Sequence, residues 1–247
     1  RFFKNHGLLS INDRPQWRVI EGGSKSYLGP LTKSFNESIF LNANIRRIRR
    51  VDGSVELTMA DGQVLGFDHV VLACHSDQAL KLLADATPAE LEALSAIPYQ
   101  ANEVILHTDE SLLPDRRLAW SSWNYLLRQK YQERAVLTYN MNILQGIESE
   151  STFCVTLNAT DSISPDKIIG RFNYSHPVFS RESVQAAGLI DKFNGQKNTW
   201  FAGAYLGNGF HEDGVASARK VVNAINDMPA ISEALNDPAA LPEAARA

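Results

Sequence analysis

The stretch Thr199–Ala218 constrains the fold more than any other part of this chain. Thr199–Tyr205 is apolar and rich in aromatic residues, which predicts a buried strand. Glycines follow at positions 203, 207, 209 and 214. Glycine lets the backbone approach a ligand closely, and Asp213 can cap a helix over Val215–Met228. Such a helix N-terminus after a turn suits an electron-rich or anionic ligand, and an ordinary strand-to-helix connection is the alternative.

A second segment near the amino terminus has a similar order of elements. Trp17–Ile20 is a short apolar strand candidate, and a pair of glycines follows it. Ser24 can cap a helix over Lys25–Phe35, although Pro30 falls inside that range. Paired glycines are common in ordinary turns, so this segment carries little information by itself.

The next part of the chain alternates with period 2, as strands do. The predicted strands are Ile39–Leu41, Ile45–Val51, Val55–Met59, Gln63–Phe67 and Phe67–Cys74. Asp52-Gly53 and Asp61-Gly62 are hairpin signals, so the middle three strands form a meander. The last strand is continuously apolar, which predicts burial on both faces in a parallel sheet. Ser76 or Asp77 then caps a helix through Leu83, and Pro88–Leu94 is another helix.

After Ile97 the predicted strands are joined by turns instead of helices, which indicates an antiparallel sheet. These strands are Tyr99–Thr108, Leu118–Gln129, Ala135–Met141, Thr152–Asn158 and Lys167–Tyr174. A helix over Ser183–Phe193 precedes the glycine-rich stretch. The fold class is therefore α/β locally and α+β overall, with an antiparallel lobe inserted into a discontinuous α/β lobe. The expected divisions are residues 1–96, 97–195, 196–230 and a tail, 231–247.

Composition limits the partners of this chain. The net charge of -4 and the lack of a basic stripe argue against nucleic acid, and the arginine run 46–50 is expected to be a solvated strand edge. No apolar run is long enough to cross a membrane. Cys74 and Cys154 lack metal-ligand spacing, so we expect no metal site and two reduced thiols in a cytoplasmic protein.

Several segments together carry a family resemblance. Trp17–Ser24 resembles a GG segment before a helix, and Ile45–Ala73 resembles a meander followed by D-x-V-V-L-A. Phe201–Gly203 and His211–Ala218 resemble a carboxy-terminal flavin motif. The chain is thus similar, over nearly its whole length, to the flavin-containing amine oxidase superfamily, which includes monoamine oxidases, protoporphyrinogen oxidases and phytoene desaturases. The likeness is greatest to its bacterial NAD/FAD-binding members. It implies an FAD-binding Rossmann-like lobe and a substrate lobe.

The chain departs from the family pattern in two ways. It has no G-x-G-x-x-G segment, which in the family binds the pyrophosphate of FAD. We expect that segment upstream of Arg1, since a start without Met is typical of an interior segment; tag removal or proteolysis is the alternative. Ala204 stands where many relatives have an acidic residue near the ribityl chain, so ribityl binding must come from backbone groups or from residues elsewhere.

The resemblance implies seven FAD-binding residues. They are Ile45, Ala73, Cys74, Gly203, Ala204, Gly214 and Val215. Ile45 lies where the family contacts adenine, and the last two begin the helix whose N–H groups face the flavin edge that becomes negative on reduction. Ordinary core packing is the alternative for Ile45, Ala73 and Val215.

Aromatic residues are the candidates for substrate binding. Trp123 and Tyr125 share one face of a predicted strand, with Trp120 on the other, and Tyr205 and Phe210 flank the glycine turn. Such a surface suits an apolar or cationic substrate, and a plain aromatic core is the alternative. The catalytic residues are unknown. A solvated or capping role is expected for His211 and Glu212, with general acid–base catalysis as the alternative. His75 is expected to cap the next helix, with a phosphate contact as the alternative.

The resemblance implies an FAD-dependent oxidoreductase that transfers a hydride from a small-molecule substrate to flavin. One alternative is a truncated or degenerate flavin-fold protein without catalysis. A second is a flavin-dependent desaturase or isomerase of an apolar substrate. The upstream sequence discriminates between the enzyme and the degenerate protein.

Overall fold

The structure is a computed structural model, and it describes residues 10–13, 16, 18–127 and 134–228. It contains two compact units. Unit 1 is drawn from Arg1–Pro98 and Pro177–Ala247, and unit 2 is Tyr99–His176. The predicted tail 231–247 lies outside the described residues.

The meander of unit 1 has the register that its hairpin signals predict. Its antiparallel strands are β1 (Ile45–Val51), β2 (Ser54–Met59) and β3 (Val64–Phe67). Gly53 and Gly62, the glycines of the two Asp-Gly pairs, have φ values of 74° and 89°. This positive φ is costly for residues with a Cβ, so glycine fixes both turns. The predicted meander is confirmed.

A second sheet of unit 1 has two strands, β4 (Val70–Leu72) and β10 (Thr199–Phe201), which pair in parallel with Thr199 opposite Val70. Both strands are shorter than predicted. The expectation that β4 is buried on both faces is wrong, since Val71 is 45% exposed while Leu72 is 4% exposed. On the same face as Val71, its register partner Trp200 is 6% exposed, so the packing over this face ends short of the edge strand β4.

Five α-helices of the described residues belong to unit 1. They are α1 (Leu28–Thr32), α2 (Ser76–Leu82), α3 (Pro88–Ser95) and, after unit 2, α5 (Arg181–Phe193), and α6 (His211–Asn226) completes the described part of the unit. Phe193 of α5 meets Phe201 of β10 edge to face, with ring centroids 5.7 Å apart. Val221 of α6 joins Trp200 and Ala202 in a buried cluster. The two helices therefore bury β10 completely.

Several predictions near the amino terminus are wrong. Residues 18–20 and Ile39–Leu41 form no strand, and Trp17 lies outside the described residues. In place of one helix over 25–35, a 3-10 turn at Ser24–Tyr27 precedes the short α1. The glycine turn is closed by Ser26, whose Oγ donates to Gly23 O at 2.8 Å. Neither the 3-10 turn nor α1 has a side-chain cap, so the predicted capping role of Ser24 is wrong.

Unit 2 is a five-stranded sheet with the spatial order β6-β7-β8-β5-β9. Its strands are β5 (Tyr99–His107), β6 (Trp123–Leu126), β7 (Val136–Asn140), β8 (Cys154–Leu157) and β9 (Ile168–Pro177), and a short helix α4 (Met141–Gln145) follows β7. The β6–β7, β7–β8 and β8–β5 pairs are antiparallel, as predicted. Trp120 is not on a strand, because it follows the 3-10 turn Arg117–Ala119 and its Nε1 donates to Pro114 O at 2.7 Å.

The chain leaves and re-enters unit 1 at one place. Val178 N donates to Pro98 O at 2.8 Å, so the two crossings into unit 2 lie side by side. The sequence analysis assigns residues 97–195 to the inserted lobe. The structure instead places α5 in unit 1, where its buried face packs against α3. Which unit binds cofactor and which binds substrate stays a prediction.

Candidate functional site

The carboxyl ends of β4 and β10 meet at one edge of unit 1. Phe201 pairs with Leu72, and Ala202 N donates to Leu72 O at 3.2 Å. The residues that follow the two strands are therefore neighbours at this edge. Four of the predicted cofactor residues belong to this group, namely Ala73, Cys74, Gly203 and Ala204. In open α/β sheets ligands bind at this end of the strands.

The turn after β10 is held by its own side chains. Gly203 N donates to Ser217 Oγ at 2.9 Å, and that hydroxyl donates to Gly214 O at 2.7 Å. A Cβ on Gly203 would lie 2.6 Å from the Tyr205 ring, so the ring requires glycine there. At Gly207, a Cβ would meet the side chain of Asp213. Glycine at these two positions is therefore explained by the packing of the turn against Tyr205 and α6, without reference to a ligand.

The helix after the turn begins earlier than the sequence analysis predicts. α6 starts at His211, and Phe210 is its N-cap. Asp213 is not the cap: from the third helical position its Oδ2 accepts from Phe210 N at 2.9 Å. Gly214 N donates to Phe210 O at 3.2 Å, so this amide is already inside the helical ladder. The prediction that Gly214 and Val215 begin the helix is therefore wrong, and the open amide end lies at His211–Asp213.

The two aromatic residues of this turn differ in exposure. Tyr205 lies on the 3-10 turn Ala204–Leu206 and is 6% exposed, under its own glycine turn. Phe210 is half-buried at the helix N-cap. Ile45, by contrast, is the first residue of β1 and pairs with Met59 in the meander, which is a separate sheet. A substrate or cofactor role of these residues stays a prediction.

The cysteine and histidine after β4 have ordinary local roles in the structure. Burial raises the pKa of the Cys74 thiol, and the Asp77 carboxylate raises it further, so the thiol stays protonated at neutral pH. His75 is the N-cap of α2, and its backbone N donates to Gln78 Oε1 at 3.3 Å. The expected capping position of His75 is confirmed. The alternative prediction of Ser76 or Asp77 as the cap is wrong, because these are the first two helical residues.

Sequence reasoning missed a buried ion pair in unit 1. Arg50 of β1 is 3% exposed, and its guanidinium contacts Glu90 Oε1 at 2.8 Å and Asp85 Oδ1 at 2.8 Å. The same guanidinium lies 3.4 Å from Thr199 Oγ1 on β10. Arg50 therefore ties the meander to the start of α3 and to the central strand, and the expectation of a solvated arginine edge is wrong at this position.

The pKa values of this pair favour both charged forms. Burial lowers the pKa of Arg50, but the hydrogen bonds to Glu90 and Asp85 outweigh burial and raise it overall. Burial likewise raises the pKa of Glu90, and the bonds from Arg50 and Thr87 N outweigh it and lower the value overall. In the sequence, the capping-box pattern Thr87-x-x-Glu90 indicates a structural role for Glu90. No pattern in the sequence indicates that Arg50 is its partner.

Unit 2 has one half-exposed aromatic face. Trp123 and Tyr125 lie on the same side of β6, 40% and 64% exposed. Tyr139, opposite Trp123 on β7, meets its ring edge to face with centroids 5.9 Å apart. Burial raises the pKa of Tyr139, so its hydroxyl stays neutral. The structure thus brings together two predicted substrate residues and adds Tyr139 from the neighbouring strand.

None of the described helices is both long enough and apolar enough to cross a bilayer. In the same residues, no group of three or more His, Cys, Asp and Glu side chains is placed to hold a metal ion.

Comparison with known proteins identifies the class of protein. The model of the family "Flavin containing amine oxidoreductase" matches residues 3–143, more than half of the chain. The chain belongs to this family of flavin oxidoreductases. None of the curated proteins matches it.

Solved structures show the same fold. A redesigned putrescine oxidase superposes with a TM-score of 0.56 at 10% identity, over 84% of this chain and 53% of that one. Cyclohexylamine oxidase from Brevibacterium oxydans gives 0.53 at 14%, over 82% and 52%. A CLA-producing fatty acid isomerase from P. acnes gives 0.51 at 19%, over 73% and 47%. The fold class is confirmed, and the chain spans about half the length of these structures.

Proposed function

We propose that this chain is part of an FAD-dependent oxidoreductase that oxidises a small-molecule substrate by hydride transfer to the flavin. The observation that carries the proposal is the shared edge at which β4 and β10 end beside the glycine turn and the amide end of α6. Parallel strand ends followed by a helix N-terminus suit the phosphates and the electron-rich edge of a dinucleotide. Bound flavin would supply the redox chemistry.

The residues at this edge fit a flavin in part. Ala73, Cys74 and Ala204 present small side chains and backbone groups after the strands, and Val215 offers an apolar side chain that is 52% exposed. Asp213 keeps its negative charge although its Oδ2 accepts from Phe210 N, and this charge disfavours an anionic group directly beside it. These residues would hold the cofactor by backbone contacts and apolar packing, and Gly203 is a weak candidate donor because Ser217 takes its amide.

The cofactor site needs a further polypeptide segment in this proposal. The parallel sheet of unit 1 has two strands in the described residues, and Val71 of the edge strand β4 is 45% exposed. An amino-terminal segment that carries the dinucleotide fingerprint would add strands to this sheet and supply the phosphate-binding loop. We propose it as the partner of this chain.

The aromatic face of unit 2 is the proposed substrate surface. Trp123, Tyr125 and Tyr139 offer ring faces and two phenol hydroxyls, and these suit an apolar or cationic substrate. A flavin-dependent isomerase or desaturase is the second candidate, favoured by the similarity in fold to the fatty acid isomerase. Both candidates use the same cofactor and differ in substrate.

A flavin titration tests the proposal. FAD is added to the purified chain, alone and with the amino-terminal segment of a related oxidase, and binding is followed by flavin fluorescence and absorbance. We expect binding with the segment present and a weaker affinity for Val215→Asp. Val222→Asp is the matched control, because Val222 lies two turns along the same helix and is 53% exposed. Absence of binding in both mixtures would favour the non-catalytic alternative. Equal effects of the two variants would remove Val215 from the site.

A further inference from the structure

A row of buried polar side chains crosses the sheet of unit 2 on the face opposite the aromatic surface. His107 of β5, Thr156 of β8 and Thr138 of β7 are each at most 1% exposed. His107 Nε2 lies 2.7 Å from Thr156 Oγ1, and that oxygen lies 2.8 Å from Thr138 Oγ1. Buried polar groups are tolerated when they are hydrogen-bonded, and in this row the side chains of three adjacent strands bond to one another.

The bonds of His107 fix its protonation state. Asp109 N donates to Nδ1 at 3.1 Å, so Nδ1 must carry a lone pair. The single ring proton is then on Nε2, which donates to Thr156. The imidazole is therefore neutral, with both nitrogens bonded. Burial lowers the pKa of His107, and the nearby Asp109 carboxylate opposes this effect without reversing it.

The groups that face His107 are already occupied. The Asp109 carboxylate accepts from Ser111 N at 3.1 Å, from Ser164 N at 2.8 Å and from Lys167 Nζ at 3.5 Å. On β8 the opposite residue is Cys154, which is fully buried and has its pKa raised by burial to about 12. Thr138 of β7 does not titrate at these pH values.

The next acidic and basic groups are also paired. Glu110 accepts from Thr152 Oγ1 and from Arg117 Nη2, the latter at 3.2 Å. Asp166 accepts from Ser164 Oγ at 2.5 Å. A proton added to Nδ1 would remove the acceptor of Asp109 N and place a positive charge beside buried threonines. The nearby carboxylates already bond to other groups, so none of them is available as a new partner for that charge.

We propose that His107 is a proton-sensitive lock in unit 2: its protonation breaks the bond from Asp109 N and opens the end of the β5–β8 pair, which exposes Cys154. The open form takes up a proton that the closed form excludes. The free energy of opening therefore falls as the pH drops below about 6.5, the ordinary value for histidine, and continues to fall until the closed form itself is protonated. This device needs no cofactor or substrate.

Labelling of Cys154 tests the lock. In a Cys74→Ser background, the thiol is labelled with a disulfide reagent between pH 7.5 and 5. Each rate is divided by that of the urea-unfolded chain at the same pH, which removes the pH dependence of the reagent. We expect the ratio to rise by up to tenfold per pH unit below 6.5, since one proton is coupled to opening. A flat ratio would overturn the proposal.

His107→Gln is the control, because a glutamine amide can accept and donate without titrating. Its ratio should stay flat over the same range, and a rise equal to that of the parent chain would refute the role of His107. If circular dichroism shows that this variant does not fold, nitrogen NMR of the histidines in the parent chain provides the test instead. One histidine ring should be neutral, with its proton on Nε2, and should titrate below pH 6.5. The proposal would be overturned if every histidine ring titrated at or above pH 6.5.

Discussion

Arg50 and Glu90 form a bidentate ion pair in which both side chains are almost fully buried. Two guanidinium nitrogens donate to the two carboxylate oxygens at 2.8 Å and 2.9 Å, with 3% and 5% of the side chains exposed. Forty residues of sequence separate the partners. A buried pair of this kind adds little net stability over an apolar pair, but loss of one partner leaves a buried charge.

Arg50→Met should therefore destabilise unit 1 by about 3–5 kcal/mol, because Glu90 and Asp85 lose their common partner. Urea unfolding measures the change. Arg49→Met is the matched control, since Arg49 pairs with Glu56 at the surface and its loss should cost less than about 1 kcal/mol. The double variant Arg50→Met with Glu90→Met should recover most of the loss. A double variant no more stable than the single one would contradict the argument.

Gly195→Ala should destabilise the chain by about 1–3 kcal/mol. Gly195 has φ of 89°, and a Cβ there would lie 2.5 Å from the Trp200 ring. Gly188→Ala is the comparison: this exposed glycine lies inside α5 with nothing near its Cβ position, so alanine should stabilise by about 0.5–1 kcal/mol. Thermal unfolding of both variants gives the two signs. Equal signs would contradict the account.

Asp109→Asn should weaken unit 2 near neutral pH by roughly 1–3 kcal/mol, because a bonded carboxylate is replaced by an amide. Burial acts to raise the pKa of Asp109, but the amides of Ser164 and Ser111 outweigh it and hold the value at about 2. The folded pKa is depressed, so this stability is present above pH 3.8 and is lost as the pH falls toward 2. Acid unfolding measures it.

The Asn variant should show a flatter stability profile between pH 4 and 2, since it has no carboxyl group to protonate at this position. Asp161→Asn, at an exposed position of the same unit, is the control and should keep the slope of the parent chain. An unchanged slope in Asp109→Asn would show that other groups set the acid limit.

Tyr125→Ala tests the proposed substrate surface. Tyr125 is 64% exposed, so its loss should change the stability by less than about 0.5 kcal/mol. In the flavin-loaded enzyme it should raise KM for an apolar amine several-fold, because the substrate loses a ring contact. Tyr174→Ala is matched in type and exposure at the opposite edge of the sheet, and should leave KM unchanged. Similar KM values for the two variants would reject the surface.

The sequence predicted the elements whose signals are local. The meander followed from two Asp-Gly pairs whose glycines have positive φ, and unit 2 followed from period-2 alternation between turns. The start of α6 was missed for a local reason as well. Phe210 is a poor N-cap by type, and Asp213 reaches back to its amide from inside the helix.

Other features depend on residues that are distant in sequence. Nothing near Arg50 distinguishes it from the exposed Arg49, because its burial is decided by Asp85 and Glu90. The neutral state of His107 likewise depends on Thr156 across the sheet. The site is predicted only as a place in the fold, since strand ends and a helix start are readable from sequence whereas the contacts of a ligand are not.

The hydrogen bond from Val178 N to Pro98 O has a consequence for how such a chain can be rearranged. Because the two crossings are adjacent, the loop they close spans residues 99–176 without separating the ends of unit 1. A short Gly-containing turn could replace this loop, and the entropy of closing it would fall. We therefore expect that unit 2 can be replaced by sheets of other sizes inserted between Pro98 and Val178, while β4 and β10 keep their register.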